Sequence, residues 1–499
     1  MEEALALVSG EPWRPGPSGG RSGGDRAEGA GPGAAPGPRT EDAPERPRRP
    51  RATGWPEARA LAARAGRGAR LRTVRVPLER ALGRVLGQPL TALCDLPSFD
   101  TSAMDGWAVA GPGPWAVPTA ESVLAGRAAP PALEDGTAVR IATGARIPPE
   151  ATAVVRGEHA RTDASGRLLH AERTVLQGQD IRPRGQECRA GDRLVPAASV
   201  VTPAVLGLAA AAGYDELEIV PRPRAEVLIL GDELLADGLP HDGLIRDALG
   251  PMIGPWLVAL GAEVVAVRRI GDDARALARA VAASTADLVL TTGGTAAGPV
   301  DHVHPVLRAA GAELLIDSVA VRPGHPMLLA ALAPRDGAAP RDGSAPRGSA
   351  ATRGSAPARE GTGPAREGTG PGSDESRSAG RFLVGLPGNP LAAVSGLLTL
   401  AEPLLRGMMG LPAPVPYRVP VRGEVRGHPH DTRLVPFAYR DERLLPLRYD
   451  GPAMLRGIAS ADGLAAVPPG GVGPGGELEV LDLPWLPGAP SGATAECFT

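Results

Sequence analysis

The sequence predicts a multidomain α/β plus β protein, and three observations carry that prediction. From Arg224 onward, apolar runs alternate with helical patterns in the manner of a doubly wound parallel sheet. On either side, residues 53–223 and 411–483 show many short apolar runs separated by Gly/Pro turns. Two segments, 11–52 and 333–380, are rich in Gly, Pro, Arg and Ser and hold too few large apolar residues to build a core.

The composition sets the outer bounds. With 499 residues the chain is long enough for several cores. A net charge of −3 gives no electrostatic reason to expect nucleic acid or an anionic membrane. No lysine occurs, so all 53 fixed cations are arginine. Cys94, Cys188 and Cys497 are scattered, odd in number and in no CxxC spacing, against a disulfide framework or a structural zinc. Met1-Glu2-Glu3 opens the chain without a basic region and apolar run, and no apolar run reaches the length of a membrane span. The expectation is a cytoplasmic protein.

Taken in order, residues 1–52 are expected to be a disordered tail, and its Arg46–Arg51 patch lacks the interleaved aromatics of a nucleic-acid site. Thr73–Leu86 reads as a helix. Ala225–Leu230 is a strand, Pro251–Leu260 a helix and Ala262–Val267 the next strand. Pro255 must begin or kink that helix, since an interior proline costs about 3 kcal/mol. Asp273–Ser284 is an amphipathic helix leading to the strand Asp287–Thr292. Met327–Leu332 and Phe382–Leu386 read as adjacent hairpin strands with the repeats of 333–380 inserted at their tip, where a long loop costs little closure entropy. Leu391–Leu405 is an apolar helix, and 411–483 is β-rich.

Several motifs fall where such a fold places ligands. Open parallel sheets bind beyond the carboxyl ends of their strands. Asp232 and Glu233 follow the strand Ala225–Leu230 there. Thr291-Thr292-Gly293-Gly294-Thr295-Ala296-Ala297-Gly298 follows Asp287–Thr292, with Asp301 closing the loop. Its glycines let backbone N–H groups approach an oxyanion. Gly385-Leu386-Pro387-Gly388-Asn389-Pro390 leads from a strand into the apolar helix, where Asn389 can cap the helix or offer an amide. Earlier, Pro97–Trp107 sets Asp100 and Asp105 around Thr101 and Ser102, in a stretch unsuited to an ordinary core. Two histidine pairs, His302/His304 and His428/His430, lack a third ligand at metal-site spacing and read as structural.

Pro97–Trp107, Ile141-Ala142-Thr143-Gly144-Ala145 and Gly385–Pro390 together, in this order, resemble the MoeA/gephyrin E-domain family, the molybdopterin molybdenumtransferases. The resemblance implies four domains: an elongated dimerisation domain (53–96 and 185–223), an inserted β domain (97–184), a doubly wound, MogA/MoaB-like α/β domain (224–410) and a C-terminal β domain (411–499). It implies insertion of molybdate into adenylylated molybdopterin with release of AMP, dependent on Mg²⁺. Asp105, Asp232, Glu233 and Asp301 are the implied catalytic acids, the last three also holding the metal. Asp100, Ser102, Thr143, Glu158, Gly293, Gly294, Thr295, Gly298, Arg322, His325, Pro387, Asn389 and Pro390 are the implied substrate contacts. A homodimer is implied, with Asp105, Thr143 and Glu158 facing the cleft from a second subunit, as are handover partners in cofactor synthesis. A hard cation prefers the carboxylate and phosphate oxygens such a cluster offers.

The α/β segment departs from the family pattern. Leu230 stands for the Thr of TGDEL, Asp247-Ala248-Leu249-Gly250 for an Asp/Asn-Ser/Thr-Asn element, and Ala296 for the serine of the glycine loop. Arg322-Pro323-Gly324-His325-Pro326 stands for KPGKP, and a histidine carries only part of a charge near neutrality. Each lost charge-assisted donor is worth roughly 1.5–3 kcal/mol. A second reading therefore stands beside the enzyme: a non-catalytic molybdopterin-binding or carrier paralogue of the same fold.

Overall fold

The computed structural model describes residues 52–118, 122–126, 130–295, 302–333 and 380–485. The expected tail, most of the repeat insertion, Gly298, Asp301 and Cys497 lie outside these residues.

The alternating pattern builds a six-stranded sheet. Its strands are β1 (Arg224–Leu230), β2 (Glu263–Ile270), β3 (Leu288–Thr292), β4 (Glu313–Asp317), β5 (Leu328–Leu332) and β6 (Arg381–Leu386), in the order β2-β1-β3-β6-β5-β4. Strands β2, β1, β3 and β6 are parallel, and β5 runs antiparallel to both β6 and β4. Strand β1 is apolar almost throughout because helices cover both faces of the sheet. Val227 and Ile229 pack with Ile253 and Leu257 of helix α1 (Leu249–Ala259) and with Leu391 and Leu397 beyond β6. Leu228 and Leu230 face the other way, onto Leu277 and Val281 of α2 (Ala274–Ala283) and Val306 of α3 (Val303–Ala309). Period-two alternation between two covered faces is the doubly wound arrangement that the sequence predicts.

Local chemistry sets the helix ends. Asp273 accepts the Arg275 amide at 2.7 Å and Asp247 accepts the amides of Leu249 and Gly250, both at 2.9 Å, so each aspartate caps its helix. Helix α1 starts ahead of both prolines and carries Pro255 inside it. The strand pair β5–β6 is antiparallel, with Leu332 opposite Arg381, so the chain between them leaves from the open end of that pair. Helix α4 (Pro390–Gly396) continues through a π turn, Leu397–Ala401, into Glu402–Met408. These 19 residues are longer than expected, and apolar enough to cross a membrane by length and composition. Nearly all of these residues are buried inside the fold, where they form its core.

Two expectations are corrected. Thr73–Leu86 is a strand, Val74–Pro77, a one-turn helix, Leu78–Ala81, and a second strand, Val85–Leu86. β-branched Val74 and Val76 alternate with arginine and proline, and both strands pair with Glu216–Val220. The C-terminal sheet is also not confined to residues after 411. It takes in Thr53–Gly54 and Val319–Arg322 beside Thr432–Arg440.

Behind Thr53–Gly54, the helix Trp55–Gly68 lies against Glu402–Met408. Glycines permit the approach: a Cβ on Gly407 would stand 2.6 Å from the Ala63 carbonyl oxygen. The inserted segment is centred on Gly106–Val109, flanked by Ala138–Ile141 and Ala153–Arg156 in an antiparallel sheet. Ala108 and Val154 lie in one core, Val109 and Val155 in another on the opposite face.

Candidate functional site

Three neighbouring strands of the α/β sheet, β1, β3 and β6, end side by side, and each carries one of the expected loops. After β3, Gly293 and Gly294 adopt φ of +80° and +64°, a left-handed turn in which a side chain would be strained. The Gly293 amide donates to the Leu386 carbonyl at 2.8 Å, tying this loop to the end of β6. A Cβ on Gly388 would stand 3.6 Å from Gly293 Cα, so the two glycine loops abut. Thr295 is buried against Gly385. The Thr291 and Thr292 hydroxyls are buried at the strand end with no hydrogen-bond partner among the described residues. Pro387 is buried, Pro390 half-buried, and Gly388 and Asn389 are exposed. Asn389 occupies the N-cap position of α4, yet its side chain makes no capping bond among the described residues. The Leu391 and Ala392 amides donate instead to the Pro452 carbonyl, at 2.9 and 3.2 Å.

After β1, Asp232 and Glu233 are both exposed on the turn. Asp232 Oδ1 accepts the Asp272 amide at 3.3 Å, and the Asp232 amide reaches Asp272 Oδ2 at 3.5 Å. The turn is therefore held to the end of β2 through Asp272. Among the described residues no group of three or more His, Cys, Asp or Glu side chains is placed to hold a metal by itself.

The segment standing for KPGKP spans the α/β and C-terminal sheets. Arg322 is exposed and its Nε donates to Asp431 Oδ2 at 2.8 Å, so part of the fork is already engaged. His325 is half-buried, with Nδ1 buried and unpartnered among the described residues. Of the other histidines, His304 pairs with Asp317 at 2.8 Å, and His428 Nδ1 accepts the Asp431 amide at 3.0 Å.

The inserted β segment assembles a second group. Asp105 Oδ1 accepts both the Thr143 amide, at 2.6 Å, and the Thr143 hydroxyl, at 2.9 Å. These bonds, the amide foremost, hold the exposed Asp105 carboxyl below the usual carboxylate range. The Asp105 carbonyl accepts the Gly157 amide, which brings the turn bearing Glu158 alongside. Glu158 is exposed, 3.9 Å from both Arg156 and His159. Arg156 in turn clasps Asp180 through two 3.0 Å bonds and lowers the pKa of that aspartate.

Ser102 is fully buried, and its hydroxyl donates to the Met104 carbonyl at 2.6 Å, so it shapes the Asp105 turn. Asp100 is exposed, and one carboxylate oxygen accepts the Arg184 amide at 2.6 Å.

The expected residues thus fall into two groups, and no hydrogen bond or ion pair among the described residues joins Asp105, Thr143 or Glu158 to the α/β loops. Sequence reasoning missed Asp272 and Arg269. The signal for Asp272 was present, a Gly-Asp-Asp run at the end of a strand. The Pro452 carbonyl on α4 had no signal, because any residue carries a carbonyl.

Residues 55–213 match the MoeA N-terminal region (domain I and II), 226–407 the probable molybdopterin binding domain, and 418–483 the MoeA C-terminal region (domain IV). Molybdopterin molybdenumtransferase 2 of Mycobacterium tuberculosis is 34% identical over 436 residues, covering 83% of this chain and 95% of the relative. The molybdopterin molybdenumtransferase of Staphylococcus aureus is 28% identical over 348 residues, covering 68% of this chain and 72% of that protein. A molybdopterin biosynthesis moeA protein from Pyrococcus horikoshii OT3 shares the fold, with a TM-score of 0.63, 19% identity, and coverage of 86% of this chain and 99% of the other. The chain belongs to the MoeA family, the molybdopterin molybdenumtransferases of molybdenum cofactor biosynthesis.

Proposed function

We propose that this chain inserts molybdate into adenylylated molybdopterin and releases AMP. The observation that carries the reading is the convergence of three loops, at Asp232-Glu233, Gly293–Thr295 and Pro387–Asn389, on the adjacent ends of β1, β3 and β6. That is the place where an open parallel sheet takes its ligand. The Gly293 amide is held by the Leu386 carbonyl and fixes the turn, and Gly294 offers its backbone N–H to the anionic end of the substrate, with Thr295 packed beneath; Gly298, outside the described residues, belongs to the same proposed loop. Pro387, Asn389 and Pro390 border the same opening. Arg322 and His325 border the side on which the molybdate oxyanion is received, with the fixed charge supplied by Arg322.

Mg²⁺ fits the donor chemistry of the turn after β1. Asp232 and Glu233 are exposed, hard oxygen donors, too few to cage an ion unaided, and Mg²⁺ characteristically keeps its waters and takes substrate phosphates as the remaining ligands. Asp232, Glu233 and Asp301 would hold it. When bound it supplies charge neutralisation and polarisation of a phosphoryl oxygen. Asp105 is kept ionised by Thr143, which occupies Oδ1 and leaves Oδ2 without a bond among the described residues to accept a proton or orient a water. Asp105, Thr143 and Glu158 serve the α/β site of a second subunit, in a cytoplasmic homodimer that passes mature cofactor to acceptor proteins, and Asp100 is a further substrate contact. The four-domain division given above is part of the same proposal.

The test is single-turnover AMP release from adenylylated molybdopterin, with molybdate and Mg²⁺ present or withheld. Release that requires both is expected. Tight pterin binding without release selects the carrier reading, which the divergent side chains at 230, 248, 249, 296 and 325 motivate; no binding overturns both.

A further inference from the structure

We infer that Arg269, on the edge strand β2, is a positioning residue for the acids that follow β1. The inference rests on the reaction proposed above and adds a residue that the motifs do not contain.

Arg269 lies opposite Ile229, near the carboxyl end of β2. Its guanidinium reaches across to the excursion 231–248, which starts with Asp232 and Glu233 and returns to begin α1. The two legs of that excursion are zipped together. Leu234–Leu235 pairs in parallel with Ile245–Arg246, the Ile245 amide donates to the Glu233 carbonyl at 2.8 Å, and the Asp247 amide donates to the Leu235 carbonyl at 3.1 Å.

Arg269 clips both legs at once. On the outgoing leg, Nη1 donates to the Leu234 carbonyl at 3.5 Å and Nη2 to the Leu235 carbonyl at 3.4 Å. On the return leg, Nη2 donates to Asp247 Oδ2 at 2.6 Å. The charge-assisted contact is the strong one, and it is set against a carboxylate only 1% exposed, where a cation is needed. The two long contacts orient the fork.

The division of labour within Asp247 separates positioning from folding. Oδ1 alone accepts the two amides that cap α1. Oδ2 is given over to Arg269, so the cap does not need the ion pair. Backbone bonds hold the legs to each other. What Arg269 adds is attachment of the zipped legs to β2, the strand whose end also touches Asp232 through Asp272. Lysine cannot reproduce this, because one ammonium lacks a planar fork to span three acceptors.

Removing Arg269 alone leaves Asp247 buried and unpaired, so the informative variant is R269A/D247N, in which the side-chain amide oxygen at position 247 still caps α1. Single-turnover AMP release, the thermal midpoint, and trypsin cleavage after exposed Arg246, followed by mass spectrometry, are compared with wild type and with D247N as the cleavage reference. Expected are an AMP-release rate lower by about 10- to 100-fold with substrate affinity little changed, an unaltered thermal midpoint, and faster cut at Arg246. R269K is expected to recover only part of the rate. Wild-type turnover in the double variant, or full recovery by lysine, overturns the positioning role. A wild-type protein that releases no AMP overturns the proposed reaction instead, and unchanged cleavage at Arg246 then independently removes the tether.

Discussion

Gly271 offers a way to move one candidate catalytic carboxylate without touching it. A Cβ built on Gly271 would overlap Asp232 Oδ1, with Cγ at 3.5 Å and Oδ2 at 3.9 Å as the next neighbours. The obstacle is the end of a side chain, so the backbone of β2 need not shift. Gly271 does not adopt positive φ, so alanine is tolerated there without strain. Removing a glycine also trims the unfolded ensemble, a gain of about 0.4–1 kcal/mol where the native conformation is compatible. Stability should therefore hold or rise slightly in G271A. The carboxylate must swing away by about 1 Å, and a misplacement of that size costs about 10²-fold in rate, or about 2.7 kcal/mol of barrier.

The assay is single-turnover AMP release beside a urea or thermal melt. A cycle with D232N separates the routes: if alanine acts through Asp232, G271A/D232N is no slower than D232N alone. Wild-type turnover in G271A, with displacement of Asp232 verified by crystallography, would remove Asp232 from the reaction. A full additional loss in the double variant would place the effect elsewhere.

Asp105 is held below the usual carboxylate range by bonds present in the folded state, so any stability it contributes is complete above the ordinary aspartate pKa and is lost as pH falls through the lowered folded value. T143A removes the hydroxyl and keeps the amide bond, and it is expected to move the acid limb of the pH–rate profile toward higher pH; an unmoved limb would mean that Asp105 is not the titrating group. S102A loses the buried bond to Met104 and is expected to cost about 1 kcal/mol in a denaturant melt while leaving substrate affinity unchanged. In G66A the new Cβ overlaps the Leu404 carbonyl and stands 3.1 Å from Gly407 Cα, so the helix Trp55–Gly68 must lift from the core helix, with an expected loss of about 1–3 kcal/mol in urea. Replacing residues 335–379 with a short Gly/Ser turn is expected to leave AMP release intact, because Leu332 and Arg381 already stand opposite each other; lost turnover would give the insertion a role in the reaction.

The α/β half was legible because burial on both sides of the sheet leaves continuous apolar strands, and because strand ends announce themselves with Gly, Asp and Pro. Even there the caps were foreseeable, with Asp273 standing just before α2. Thr73–Leu86 was misread since its apolar spacing suits a helix, while the pairing of Val74–Pro77 with a strand some 140 residues later decides the matter. Pairing with later strands likewise hides Val319–Arg322 inside the C-terminal sheet, and Arg269 meets Asp247 from a different element. Ser102 is a different case: a hydroxyl between two acids suggests a ligand, and its local bond to a carbonyl two residues away, which no pattern announces, is what the structure adds.

The departures from the family pattern look different once placed. Leu230 packs among Leu277 and Val306, and Leu249 beside Ile253 and Trp256, so both side chains belong to the cores on the two faces of the sheet. Asp247 still caps α1 without the hydroxyl and amide that the family places after it. Left at the strand ends are groups that substitution changes least: the backbone amides of a left-handed glycine turn, the acids after β1, and arginine. The Gly293 amide is tied to the Leu386 carbonyl, so the turn is fixed before any ligand arrives, and in the proposed reaction the Gly294 amide would lose little entropy on meeting an oxyanion. The acids gain from the same rigidity, because β2 grips their turn from outside through Asp272 and Arg269. Placement here comes from an edge strand the motifs never mention, which is why a reading restricted to motif residues finds losses at this site and overlooks its support.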